Sequence, residues 1–314
     1  MGFGKTFKAA LAPFAMAAAL LGPAAAQAKD DFGVLVMAHG GGPKWNGEVE
    51  ASLAPLRSGY PLEIAFGMAD AVSLQAAVQR LEAKGVTKVA VVRLFVSGES
   101  WYERTEQILG LKPGAPPKPA ADPHAGHGGA HAGHSMAFWQ VGTKAAYALS
   151  KEGLAEAPEM GAVLAQRVGA LSKDPPRESV LIVAHGPEDD AENARWLAQI
   201  DARAEAVRRA APFRQVQVES LREDWPEKRK VSELRIRAFV EQAAKDGGRA
   251  IVIPYRVAGF GPYAKVLEGL TYASDGQGLL PSPEVVGWVR RQAETLKSGT
   301  FQQSKMSEPT RTAR

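Results

Sequence analysis

The chain has 314 residues, of which 45% are apolar, 23% charged and 7% aromatic; this is a globular composition with room for one large or two medium domains, and it excludes fibrous, collagen-like and wholly disordered chains. Its 38 Lys and Arg stand against 34 Asp and Glu, a near balance that gives no general case for nucleic-acid binding. Cysteine is absent, so disulfides, thiolate metal sites, iron–sulfur clusters and cysteine nucleophiles are excluded, and any metal chemistry falls to His, carboxylate or water ligands.

Residues 1–28 carry Lys5 and Lys8, then an apolar stretch from Ala9 to Leu21, then small residues at Ala26-Gln27-Ala28. That layout predicts a secretory signal peptide cleaved after Ala28. The competing reading is a retained membrane anchor, but Pro13 and Pro23 interrupt a stretch already short of the ~18 apolar residues a span needs. The mature chain is therefore expected in a bacterial periplasm or outside the cell, with no membrane association.

From Phe32 onward, short β-branched runs alternate with amphipathic segments. FGVLVMAHG (32–40) predicts a buried strand, 46–57 a helix, PLEIAFGM (61–68) a strand, 73–85 a helix and KVAVVRLFVSG (88–98) a third strand. Residues 111–136, rich in Pro, Gly, Ala and His, form no packed core and predict a flexible loop. A second series follows: helix 159–173, strand SVLIVAHG (179–186), helix 190–210, strand RQVQVESL (214–221), helix 227–245 and strand RAIVIPYRVAG (249–259). Charges that alternate in sign over 222–237 read as a solvated helix face rather than a binding patch. The polar ending 298–314 reads as a disordered tail.

The two series repeat one another. VLVMAHG (34–40) matches VLIVAHG (180–186), and VSGE (96–99) aligns with VAGF (257–260). Continuous apolar strands separated by helices predict parallel sheets covered on both faces. The fold class expected is α/β: two similar halves, 29–110 and 137–297, each a parallel sheet flanked by helices, facing across a cleft.

Six histidines are present. His124, His127, His131 and His134 crowd into the loop, spaced by Gly and Ala so that several imidazoles can close on one borderline ion such as Ni2+, Co2+, Zn2+ or Cu2+. Delivery, storage and incidental binding all remain open for that ion. His39 and His185 each end a predicted strand and precede a glycine, and ligands in open parallel sheets bind outside the carboxyl ends of the strands. For His39 three readings stand: a ligand or base, a histidine that holds the Gly40-Gly41-Gly42 turn, or part of a phosphate loop. The last lacks the dinucleotide and P-loop patterns. Glu99 ends the third strand on the same edge, and reads either as a loop acid or as the partner of His39 in binding a divalent ion and accepting protons.

The runs VLVMAHGGGPKWNGEV and VAVVRLFVSGESWYERTEQILGL, the second AHG at 184–186, and IPYRVAGFGPYAKVLEGLTYASDGQGLLPSPEVVGWV resemble the class II tetrapyrrole chelatases, nearest the long, two-half sirohydrochlorin chelatases of the CbiX type. The resemblance spans 32–292 apart from the His-rich loop. It implies a ferrochelatase-like fold and insertion of Co2+ or Fe2+, with Ni2+ a further candidate, into sirohydrochlorin or a related tetrapyrrole without a nucleotide cofactor. Carried over, His39 is the metal-binding, proton-accepting histidine. Glu99 stands where the family has a second histidine, as a His plus Glu pair serves in the related ferrochelatases. Arg93 replaces a common proline and Ser282 a frequent histidine.

Because VAGF places Phe260 opposite Glu99, and no acid is evident beside His185 in its own half, one competent centre on the first half is expected, with His185 secondary. Phe260, Tyr263 and Trp101 are candidates to touch the macrocycle or, equally, core aromatics. Lys44, Arg93, Arg104 and Arg256 are candidates to pair with substrate carboxylates. A non-catalytic periplasmic metal- or tetrapyrrole-binding protein of the same fold is the alternative.

Overall fold

In the computed structural model, which describes residues 1–2, 31–119 and 136–305, all seven residues of β1 (Phe32–Ala38) are buried. Alternate side chains of this strand enter different cores. Phe32, Val34, Val36 and Ala38 join one cluster, Leu35 and Met37 another, as a period of two requires.

The first sheet has the order β2 (Leu62–Phe66), β1, β3 (Lys88–Leu94), β4 (Ala146–Leu149), β9 (Gln302–Gln303). The second has the order β6 (Gln215–Ser220), β5 (Glu178–Ala184), β7 (Arg249–Tyr255), β8 (Tyr272–Ala273). Every adjacent pair is parallel except β4 with β9. Ala38 is in register with Phe66 and Leu94, and Ala184 with Ser220 and Tyr255, so the two halves repeat in topology and in the point where their strands stop. β3 ends at Leu94 and β7 at Tyr255; the expected strand ends at 98 and 259 are loops that leave the sheet edge.

Helices α2 (Ala71–Ala83) and α3 (Tyr102–Ile108) cover the outer face of the first sheet, and α6 (Pro226–Lys245) and α7 (Tyr263–Val266) that of the second. Asp70 caps α2, its carboxylate accepting from the Ser73 N–H at 2.9 Å. Helix α1 (Pro43–Leu53) starts three residues before the expected 46, because proline at the first helical position has its φ pre-set and loses no hydrogen bond there.

Between the sheets lie α1, α4 (Glu159–Leu171), α5 (Asp190–Ala210) and α8 (Pro283–Lys297), in a core that takes residues from β1, β3, β5 and β7. The helices that close each half are exchanged. Helix α4 follows the first sheet yet packs on α5 and β7, while α8 follows the second sheet and packs on β3 and β4. Val285, Trp288, Val289 and Ala293 of α8 are buried there, each valine contributing about 1.5–3 kcal/mol. Trp288 Nε1–H donates to Glu152 at 2.7 Å, and Arg291 bonds both Glu152 and Glu159. The described residues from Asp31 onward accordingly form one compact unit.

Three expected boundaries shift. The first sheet recruits β4, from beyond 137, so the halves do not divide at the His-rich segment. Residues 111–119 are tied down: Ala115 is buried, and the Gln140 N–H donates to the Pro116 carbonyl at 2.7 Å. Within the expected tail, 302–303 form β9 against β4. The signal-peptide region 3–30, the histidines at 124, 127, 131 and 134, and 306–314 lie outside the described residues. Among the described residues no helix is long and apolar enough to cross a membrane.

Candidate functional site

His39 and His185 occupy equivalent places, each one residue beyond the alanine that ends its strand. Gly40 at φ +83° and Gly186 at φ +77° turn back in the left-handed region that glycine tolerates, and each returns its carbonyl to the preceding histidine Nδ1 at 2.8 Å. A carbonyl only accepts, so Nδ1–H is the donor in both, and a neutral His39 ring then carries its lone pair on Nε2, the form that ligates a metal ion or takes a proton. Gly41 allows Trp45 to close over the turn, since a Cβ there would meet the indole at 2.9 Å. Trp45 Nε1–H in turn reaches the Ala258 carbonyl of the other half at 3.1 Å. His39 itself is exposed.

Glu99 leaves β3, the neighbour of β1, on the same sheet edge. The chain crosses closely there: a Cβ on Gly98 would lie 2.1 Å from the Lys151 carbonyl, and one on Gly153 would lie 2.3 Å from the Gly98 nitrogen. The Glu99 side chain is turned to α5, where Arg195 Nε donates to Oε1 at 3.1 Å and Nη2 to Oε2 at 2.8 Å. This fork joins the two halves at the edge that carries His39.

The second half departs from expectation. His185 does have acids beside it, Asp224 Oδ2 at 3.1 Å and Glu223 Oε2 at 4.0 Å from Nε2. They come from the loop after β6, on the opposite side of β5 from Phe260, which is why aligning the third strands did not reveal them. Glu223 also pairs with Arg256. With Nδ1 on a carbonyl and Nε2 against a carboxylate, His185 has both nitrogens facing acceptors. Among the described residues, no group of three or more His, Asp or Glu side chains is arranged to hold a metal ion.

The other expected contacts divide by burial. Arg93 is 1% exposed; its Nε donates to the Ser150 carbonyl at 3.0 Å, Nη1 to Ser100 at 2.6 Å and Nη2 to Gly98, with Tyr102 stacked 4.5 Å away. Burial pushes its pKa down to about 10. It organises the loop that bears Glu99, which corrects its expected role as a partner of substrate carboxylates. Arg104 likewise bonds the carbonyls of Ala69, Met136 and Ala137. Tyr263 is fully buried, its phenol pKa raised chiefly by that burial, so it is a core aromatic and not a macrocycle contact.

Phe260 and Trp101 are half-buried, Phe260 stacked on Tyr272 at 6.1 Å and Trp101 packed against the outer core of the first half. Lys44 is open, its side chain 92% exposed. The charged stretch 222–237 is not wholly solvated, since Arg222 is buried and bonds Asp190 at 2.9 Å. Ser282 caps α8, accepting from the Glu284 N–H at 3.2 Å. Arg195, Glu223 and Asp224 were not singled out by the sequence. The only signal for the last two was their place directly after a strand that neighbours the one carrying His185.

No family model matches the chain, and no curated protein matches it. Solved structures do. SirB from Bacillus subtilis with Fe3+ matches at TM-score 0.57 and 15% identity, over 86% of this chain and 98% of that one. The sirohydrochlorin chelatase SirB from Bacillus subtilis subspecies spizizenii, in complex with cobalt, matches at TM-score 0.54 and 12% identity, over 87% and 99%. DR2241 from Deinococcus radiodurans, a multi-domain protein with structural similarity to chelatases, matches at TM-score 0.50 and 15% identity. This chain is covered over 87% and spans 57% of DR2241. At these identities the likeness establishes the fold, a chelatase-like α/β architecture.

Proposed function

We propose that the protein inserts a divalent metal ion, Co2+ or Fe2+, into sirohydrochlorin or a related tetrapyrrole after export to the periplasm. The observation that carries this reading is His39, an exposed imidazole at a parallel-strand end whose Nδ1–H is committed to Gly40, so that Nε2 bears the lone pair. Insertion requires two pyrrole N–H protons to leave as the ion enters. His39 receives the metal ion as substrate and accepts a proton; Glu99, on the same edge, supplies the second ligand, a carboxylate, and the second proton acceptor. Lys44, whose side chain is exposed, pairs with substrate carboxylates. The loop histidines 124, 127, 131 and 134 supply the ion.

A second reading is favoured by the Glu99–Arg195 fork: a protein that binds metal or tetrapyrrole without turnover, its would-be ligand being spent on an ion pair. Incubation of the purified mature protein with sirohydrochlorin and Co2+ or Fe2+, followed by absorption, separates the two. Turnover lost in His39→Ala supports insertion; tetrapyrrole binding without turnover in the wild type supports the second reading.

A further inference from the structure

Arg195 has no part in the proposed reaction, yet its Nε and Nη2 together hold the carboxylate proposed to ligate the metal. A carboxylate engaged side-on by a guanidinium has its two syn lone pairs directed at the N–H groups, and a divalent ion chelated by the same carboxylate would use that pair. Arg195 and the ion therefore compete for Glu99. The pair is also half open, with side chains 51% and 53% exposed, so it is weak enough to be exchanged and reachable by an incoming anion. Arg195 has a second acid near by, Glu192 in the first turn of α5, and lies on the other half of the molecule from His39.

We infer that Arg195 is a latch that substrate opens: it holds Glu99 while the site is empty, transfers its guanidinium to a carboxylate of the tetrapyrrole polycarboxylate, and so releases Glu99 to the metal ion. This rests on the reading of Glu99 as a ligand, and it gives that site an order, macrocycle first and metal second. The exchange replaces one guanidinium–carboxylate fork by another, so no net charge is stranded. It also keeps the protein from closing on a bare ion.

The test is run on the full mature chain with His124, His127, His131 and His134 changed to alanine, so that ion binding reports the strand-end site alone. Calorimetric titration with Co2+ alone and fluorescence titration with sirohydrochlorin alone are compared for this background, Arg195→Gln, Glu99→Gln and the double variant, with the unfolding midpoint as a check on folding. Arg195→Gln is expected to tighten Co2+ about threefold to tenfold, the scale of an accessible bidentate pair, and to weaken sirohydrochlorin. The double variant is expected to lose the gain in Co2+ affinity. A purely structural role for Arg195 would not move the two affinities in opposite directions. If Arg195→Gln leaves Co2+ binding unchanged or weaker while Glu99→Gln weakens it, the latch is wrong and Glu99 remains a ligand. If Glu99→Gln leaves Co2+ binding untouched, the reading of the site falls, and the latch with it.

Discussion

His39 and His185 make the same hydrogen bond, Nδ1–H to the carbonyl of the following glycine at 2.8 Å, from the same place at the ends of β1 and β5. In His185 the other ring nitrogen, Nε2, faces Asp224 at 3.1 Å. Replacing His39 by alanine is expected to lower the insertion rate about 10²-fold or more, the usual scale for a positioned acid–base group, and Glu99→Ala to do the same. His185→Ala should cost much less, since its nitrogens are already committed. Equal losses at both histidines, read from the absorption change on insertion, would defeat a single centre on the first half.

Arg93 and Lys44 separate structural from substrate-facing cations. Arg93→Met leaves three backbone carbonyls without their charged donor, and should destabilise the protein by about 3 kcal/mol or more in denaturant unfolding. Lys44→Ala should leave stability within about 0.5 kcal/mol, with its effect appearing in KM for the tetrapyrrole. A normal unfolding midpoint for Arg93→Met would restore it as a candidate substrate contact.

The glycines of the loop crossings are a second stability test. Gly98→Ala and Gly153→Ala place a methyl group 2.1 Å and 2.3 Å from backbone atoms, and each should cost about 3 kcal/mol or more or prevent folding. Gly278→Ala, 2.6 Å from the Arg256 carbonyl, should behave alike. Gly169 lies inside α4 with nothing within 4 Å of its Cβ position, so Gly169→Ala should instead stabilise by about 0.5–1 kcal/mol.

Acid stability should track Glu178. Burial acts to raise its pKa, but hydrogen bonds from Ser172, the Lys173 N–H and Arg249 outweigh it and hold the carboxyl below its ordinary 4.5. A depressed folded pKa contributes stability that is full above the unfolded value and is lost as pH falls through the folded one. Glu178→Gln is therefore expected to lower stability at pH 7 by about 1.5–3 kcal/mol, and the gap in Tm between wild type and variant should narrow below about pH 4.5. A gap that stays constant from pH 7 to pH 3 would remove this assignment.

For the histidine loop, changing His124, His127, His131 and His134 together to alanine should remove most of the bound Ni2+ or Co2+ in a calorimetric titration at pH 7. Lowering the pH of the wild type below ~6 should have the same effect, since protonated imidazole does not ligate a metal. The insertion rate should survive at saturating metal and fall when metal is scarce; loss at every metal concentration would refute delivery.

The repeat was legible because both AHG segments end strands that are buried on each face, and the alignment of VSGE with VAGF is the one that sheet register gives. Strand β4 escaped notice because AYAL is four residues, too short to be told from a loop. Glu223 and Asp224 escaped because the order β6-β5-β7 gives His185 two neighbouring loops, and sequence similarity pointed to only one of them. Arg195 could not be found by patterning at all. Its charge is ordinary for a helix surface, and only the packing of α5 against the first half brings it to Glu99.

The exchange of α4 and α8 sets a timetable for the chain as it is made. The inner face of β3 is covered by α8, whose residues are synthesised about 190 positions after that strand ends. At roughly 5–20 residues per second, the first sheet waits about 10–40 s for its cover. During that interval the inner face of β3 lacks the helix that buries it in the finished protein, so the first half cannot complete its interior before the second has been made.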